Sequence, residues 1–237
     1  SFVDWGARSG DVELRTTLDL DLQQAVEGIV RRAAAHLERS GAGEAAVVVL
    51  DVASGEVRAF AGPAARRRSP GSTLKPFAYA LAIEAGRTPA TLYDDAPVHF
   101  ETPTGDYAPR NYDGRFHGPV SLRQALANSL NVPAVLALRE AGMDRFIGLL
   151  CGARMEGIDP DPRKHGLGIV IGNASVSPLE LAGAYAMLAR GGSFVAPHGR
   201  PGPHEARRLL SPVAAYLIAD VLSDDAARAL SFGTGTD

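Results

Sequence analysis

Ser69-Pro70-Gly71-Ser72-Thr73-Leu74-Lys75-Pro76 is the stretch on which the reading of this 237-residue chain turns. Only two lysines occur among many arginines, Lys75 and Lys164, and one of them stands three residues after a serine. Arg stays protonated in proteins, whereas Lys gives up its proton when desolvated, so a Lys kept here points to proton chemistry. One helical turn puts positions i and i+3 on one face. Lys75 Nζ can therefore reach Ser72 Oγ, the layout of an activated serine nucleophile. A serine three residues before a lysine also arises by chance, but the neighbours weigh against chance. Ser69, Pro70 and Gly71 are loop and turn formers. Phe77-Ala78-Tyr79-Ala80-Leu81-Ala82-Ile83 is apolar nearly all round and predicts a buried helix, with Gly86 as its stop. Ser72 thus falls at a helix N-terminus, where its backbone N–H is free to bind an oxyanion with the dipole behind it.

Outward from this stretch, composition narrows the classes. The length fits one large domain, or one domain with an appendage, and 46% hydrophobic residues suffice for a sizeable core. A net charge of −3 gives no basic footprint for nucleic acid, so no nucleic-acid partner is expected, and Arg66-Arg67-Arg68 reads as a solvated loop. The single cysteine, Cys151, excludes an internal disulfide and a thiolate metal cluster, and reads as a small core residue. The histidines show no ligand spacing, so neither a metal nor a cofactor is expected. No apolar run approaches the roughly 20 residues of a membrane helix, and no signal peptide is present. These features leave a cytosolic chain or a soluble piece of something anchored.

Along the chain, Val12 to Thr17 alternates as a short strand. Asp19 or Asp21 caps a helix to about Arg39, with Leu22, Val26, Ile29, Val30, Ala33 and Leu37 at helical spacing. Ala45 to Asp51 and Glu56 to Ala61 predict a hairpin turning at Ala53-Ser54-Gly55. Two strands followed by the Ser72 helix begin an antiparallel sheet with helices on its faces. Arg87 to Gly118 is irregular, and its aromatic residues suggest an ordered, cleft-lining loop. Ser121 caps a helix through Asn128, and the chain breaks at Ser129-Leu130-Asn131. Val132 is biased extended by Pro133, which starts the next helix. Ser177-Pro178-Leu179-Glu180 is a capping box opening a helix to Arg190, and Ser211-Pro212 opens another to about Leu222.

Two further segments carry candidate chemistry. Ser129 and Asn131 present polar groups in one direction with Leu130 turned away; the alternative is two capping residues at a helix break. Thr234 and Thr236 would share one side of a strand, with Gly235 admitting a ligand backbone; the alternative is a Gly/Thr tail.

Taken in order, the serine–lysine tetrad, Ser-x-Asn and Thr-Gly-Thr resemble the penicillin-binding proteins, which share this set with the serine β-lactamases. Tyr107-Ala108-Pro109-Arg110-Asn111-Tyr112-Asp113-Gly114, Ser129 to Ala134, Val176 to Ala182 and Arg15-Thr16-Thr17-Leu18-Asp19 sharpen this to the 1C type of bifunctional (class A) peptidoglycan synthase. The resemblance covers essentially the whole chain. It implies an α+β fold, an antiparallel sheet flanked by helices. Residues 1–43 would form an N-terminal strand and helix on the linker side, and 44–237 a transpeptidase domain ending before its last strands. It further implies a D,D-transpeptidase. Ser72 would attack the D-Ala-D-Ala carbonyl of a peptidoglycan stem peptide, and Lys75 would take its proton. Ser129 would relay a proton to the leaving amine, and Asn131 would hold Lys75 and the substrate amide. Backbone N–H groups of Ser72 and Thr236 would form the oxyanion hole, and the Thr234 and Thr236 hydroxyls would bind the terminal carboxylate. β-Lactams would trap Ser72. A membrane anchor, a glycosyltransferase domain and the periplasmic face of the inner membrane belong to the full-length family pattern. The chain departs from that pattern at Gly233, where the family has a lysine before its threonine. A catalytically impaired sensor or scaffold is therefore the alternative. A β-lactamase would need a deacylating carboxylate, for which the irregular region offers Asp94, Asp95 and Glu101.

Overall fold

The computed structural model describes residues 14–41, 44–102 and 105–233. Asp19 caps the first helix, α1 (Leu20–Glu38), its carboxylate accepting the Leu22 N–H at 3.0 Å. Only part of the anticipated apolar stripe is used: Val26 and Val30 are buried, whereas Ile29 is half exposed. The hairpin forms as β1 (Val47–Leu50) and β2 (Val57–Ala61), antiparallel, with an irregularity between Val49 and Leu50. It is covered twice. Val26 and Val30 of α1 pack with Ala59 and Ala61, and Leu179 packs with Val57, Phe60 and Ala64. The outer edge of β2 is closed by Gln23, whose amide both accepts from Phe60 N at 2.8 Å and donates to Phe60 O at 3.0 Å. Such closure blunts an edge that would otherwise pair with another chain.

From β2 the chain runs to the Ser72 turn along a fixed path. Arg68 and Val176 exchange backbone hydrogen bonds at 3.1 and 3.0 Å, and Ser69 Oγ donates to Gly172 O at 2.7 Å. A short 3-10 turn (Gly71–Leu74) leads into α2 (Lys75–Glu84), in which every residue from Lys75 to Ile83 is buried. This helix is the axis of the main core, as its apolar circumference requires. Around it pack α3 (Leu122–Ala127), α4 (Asn131–Ala141), α5 (Met143–Gly152) and α7 (Pro212–Leu222). The helix opened by the Ser177 capping box is α6 (Pro178–Ala189), and α8 (Ala229–Phe232) is a single turn near the end.

Three expectations change. Leu14 to Thr17 lies outside any strand, its Thr17 N–H bonded instead to Gly199 O at 3.0 Å; Val12 and Glu13 fall outside the described residues. The region from Arg87 to Gly118 is not one irregular loop. It holds β3 (Leu92–Asp95), β4 (Phe100–Thr102) and β5 (Gly105–Tyr107), with β6 (Gly118–Ser121) pairing back on β3. Val132 is helical, and Leu130 (φ −63°, ψ 141°) is the extended residue before α4. With β7 (Ser193–Phe194) and β8 (Arg207–Arg208), the strands of the described residues pair as four two-stranded antiparallel ribbons. The fold is α+β, antiparallel ribbons flanked by helices. No helix among the described residues is long and apolar enough to cross a membrane.

Candidate active site

Lys75 is 1% exposed, and its amine meets oxygen on three sides. Nζ donates to Asn131 Oδ1 at 2.6 Å, to Ser129 Oγ at 3.1 Å and to the Ser129 carbonyl. Three acceptors match the three N–H groups of an ammonium. Among the described residues no carboxylate faces it, and burial lowers its pKa to about 7. The anticipated bond to Ser72 Oγ is not among these three, whose acceptors all belong to Ser129 and Asn131. A neutral amine has a lone pair free to accept a proton instead.

Ser129 reaches Lys75 through a specific helix ending. α3 starts at a reciprocal capping box between Ser121 and Gln124. It closes with Ser129 N–H bonded to Leu126 O at 3.0 Å and Leu130 N–H to Ala125 O at 2.9 Å. These two bonds make a Schellman motif, which puts Ser129 in the left-handed position usually held by glycine, at φ 54°. A non-glycine residue there costs about 1–2 kcal/mol. Buried Leu130 anchors the turn in the core while Ser129 and Asn131 face the cavity.

Asn131 is gripped at two further points. Its Nδ2 donates to Arg110 O at 2.7 Å, and its backbone N–H donates to Asn111 Oδ1 at 2.8 Å. Because Nδ2 has a carbonyl partner, the oxygen of the carboxamide is the atom turned to Lys75.

Ser72 stands on the wall of an open cavity of about 540 Å³, also lined by Ser129, Asn131, Tyr112, Leu230 and Phe232. The N–H groups beside it are engaged, Gly71 with Ser69 Oγ at 3.4 Å and Thr73 with Pro70 O at 3.2 Å. Among the described residues neither the N–H nor the hydroxyl of Ser72 has a partner. Tyr185 holds the turn from behind, donating to Thr73 O at 2.9 Å.

Ser72, Lys75, Ser129 and Asn131 thus converge on one place. Thr234, Gly235 and Thr236 lie outside the described residues, as does the side chain of Glu101. Of the carboxylates considered for deacylation, Asp94 is exposed on the far face of β3 and Asp95 is fully buried. Sequence reasoning missed Asn111 and Asn128. Asn111 sits in the quoted Tyr107–Gly114 segment without a role. Asn128 Nδ2 donates to Ala227 O at 2.7 Å and its Oδ1 accepts from Ser231 N at 2.9 Å, fastening the last described segment to the site.

Residues 45–229 match the model of the penicillin binding protein transpeptidase domain. Penicillin-binding protein 1C of Escherichia coli K12 is 33% identical over 242 residues, covering 92% of this chain and 30% of that protein. Penicillin-binding protein 1A of Pseudomonas aeruginosa is 32% identical, covering 66% of this chain and 20% of its own length. The chain thus spans less than a third of these curated relatives. Among solved structures, penicillin-binding protein 1A of Haemophilus influenzae superposes with a TM-score of 0.67 at 24% identity over 78% of this chain and 35% of that one. Penicillin-binding protein 3 of Mycobacterium tuberculosis, complexed with ampicillin, gives 0.74 at 20% identity over 90% of this chain and 59% of that one.

Proposed function

Since the chain belongs to the penicillin-binding protein transpeptidase domain family, we propose that it is the peptidoglycan D,D-transpeptidase unit of a class A synthase, working through an acyl-enzyme on Ser72. The observation that carries this is the Lys75 amine, buried with no carboxylate facing it among the described residues, with a pKa near 7, beside the cavity that exposes Ser72.

Neutral Lys75 takes the Ser72 proton as Oγ attacks the carbonyl carbon between the two D-Ala residues of a stem peptide. The negative charge that develops on the carbonyl oxygen is met by the unpartnered N–H of Ser72, with the Thr236 N–H as second donor. The C–N bond breaks, and the proton passes from Lys75 through the Ser129 hydroxyl, 3.1 Å away, to the departing D-Ala amine. The amine of a second stem peptide attacks the acyl carbon and gives its proton to Lys75, which hands it to Ser72 Oγ as the ester C–O bond breaks; the cross-link forms, and Ser72 and neutral Lys75 are restored. Asn131 holds Lys75 and the substrate amide, and Thr234, Gly235 and Thr236 receive the terminal carboxylate. A β-lactam carbonyl enters the first half of this sequence and stays on Ser72. Residues 44–237 form the transpeptidase unit and 1–43 its linker side. The reaction takes place at the periplasmic face of the inner membrane, with the anchor and glycosyltransferase parts that the class A pattern implies.

Intact-mass measurement after incubation with penicillin tests the assignment. One stable adduct is expected on the wild-type chain and none on Ser72→Ala, which should remain folded because Ser72 is exposed and its hydroxyl has no partner among the described residues to lose. An adduct on the alanine variant would remove Ser72 from the mechanism, and rapid turnover would point to a β-lactamase.

A further inference from the structure

Asp95 is fully buried at the end of β3. Its Oδ2 accepts two hydrogen bonds, from Asn111 Nδ2 at 2.7 Å and from His117 N at 2.9 Å. Its Oδ1 has no partner among the described residues. A buried carboxylate with half its oxygens unpaired is expensive, and a loop could be held without one. Where its bonds lead gives the reason. Asn111, itself buried, uses its whole carboxamide: Nδ2 donates to Asp95 and to Arg115 O at 2.9 Å, and Oδ1 accepts the Asn131 N–H at 2.8 Å. The adjoining carbonyl, of Arg110, takes Asn131 Nδ2. Both nitrogens of Asn131 are therefore bound by two successive residues, of which Asp95 holds the second, Asn111. The remaining polar atom of that side chain, Oδ1, is the one 2.6 Å from Lys75 Nζ.

We propose that Asp95 is a positioning residue for acyl transfer: through Asn111 it holds residues 110–111 against Asn131 and so fixes the carboxamide oxygen that Lys75 binds. This rests on the acyl-enzyme reading for its consequence in rate, but not for its geometry. Three hydrogen bonds lead from the buried carboxylate to the buried amine: Asn111 Nδ2 to Asp95, the Asn131 N–H to Asn111 Oδ1, and Lys75 Nζ to Asn131 Oδ1. What the arrangement needs from Asp95 is an acceptor oxygen, not a charge. Asparagine at 95 keeps an oxygen for Asn111 and His117 and puts an amide N–H₂ where the unpaired Oδ1 now lies.

The test uses the full chain and its Asp95→Asn, Asp95→Ala and Asn111→Ala variants, with thermal unfolding to establish that each is folded. Two quantities are read: hydrogen exchange of the Asn131 amide, and the rate of penicilloyl-adduct formation. Asp95→Asn should hold both within about threefold of wild type. Asp95→Ala and Asn111→Ala should speed Asn131 exchange and slow adduct formation roughly 10–100-fold, the penalty of a displaced catalytic group. Wild-type values in folded Asp95→Ala overturn the proposal. So does a loss in Asp95→Asn as large as in Asp95→Ala, because charge and not the bridge would then matter. If Asp95→Ala does not fold, Asn111→Ala, which leaves the Asp95–His117 bond in place, carries the same decision. If the wild-type chain forms no adduct, the acyl-enzyme reading falls, and unchanged Asn131 exchange in the variants overturns this proposal separately.

Discussion

At the scale of a single residue, a buried ammonium with no counter-charge among the described residues ties stability to pH. Lys75 has a folded pKa of about 7 against an ordinary value of 10.5. Between those values the unfolded chain binds more protons than the folded one, so stability rises with pH across the window. Below about pH 7 both states are protonated and the burial cost is fully present; above 10.5 it has gone. Lys75→Met removes that titration. Its stability relative to wild type should therefore be most favourable near pH 6.5 and should decline by up to about 1.4 kcal/mol for each pH unit inside the window. Urea unfolding of the two chains at pH 6.5, 8 and 9.5 measures this, and a difference independent of pH would mean that Lys75 stays charged throughout. The position of Lys75 was legible because lysine is scarce and stands one turn from a serine on an apolar helix. Its partners were not. Ser129 takes the left-handed place of a Schellman turn, where propensity favours glycine, and the strain is accepted for the hydroxyl that reaches Nζ.

At the scale of elements, the Ser72 turn is set by a second 3-10 turn (Leu167–Ile171) pressed against it. Gly172, which ends that turn at φ 118°, leaves no room for a side chain. An added Cβ would stand 2.8 Å from Gly71 Cα and 2.9 Å from Ser69 Oγ. Gly172→Ala should therefore cost about 1–3 kcal/mol by overpacking and also displace Gly71 and Ser72. Adduct formation should slow at least roughly tenfold, since misplacing a reacting group by 1 Å costs about that or more. Gly191→Ala is the control: its φ of 63° imposes backbone strain, but open space surrounds it, so stability falls while acylation holds. Equal acylation rates in the two variants would show that Gly172 does not set the nucleophile. Local signals made the helices readable, since Ser121, Ser177 and Ser211 each cap the helix expected of them. The strands β3 to β6 were hidden by their composition. They are three or four residues long and rich in Asp, Gly and Pro, and Leu92 pairs with Ser121, well beyond any local window.

At the scale of the whole molecule, the site is assembled from segments far apart in sequence, and its last described wall arrives with α8. That distance explains why the Ser72 turn, Ser129 and Asn131 could each be picked out locally while the bonds between them could not. Asn128 makes the final connection. Its side chain joins Gln124 O, Ala227 O and Ser231 N, and its own carbonyl accepts from Ser231 Oγ at 3.0 Å. The bonds that fold the Ser129 turn, by contrast, are backbone bonds from Ser129 and Leu130 to Leu126 and Ala125, and they do not use that side chain. Removing the Asn128 carboxamide therefore separates two things that the intact molecule joins: the wall made by Leu230 and Phe232, and the Lys75–Ser129–Asn131 triad. Asn128→Ala should loosen the wall and leave the triad in place. The penicillin concentration for half-maximal acylation should rise about 5–10-fold, equivalent to roughly 1 kcal/mol of binding. The limiting rate at saturation and the midpoint of its pH dependence, set by Lys75, should stay where they are. Asn128→Asp keeps the acceptor for Ser231 N and loses both donors, so it should fall between wild type and Asn128→Ala. A moved pH midpoint, or a lower limiting rate at unchanged half-saturation, would show instead that Asn128 acts on the proton-transfer groups.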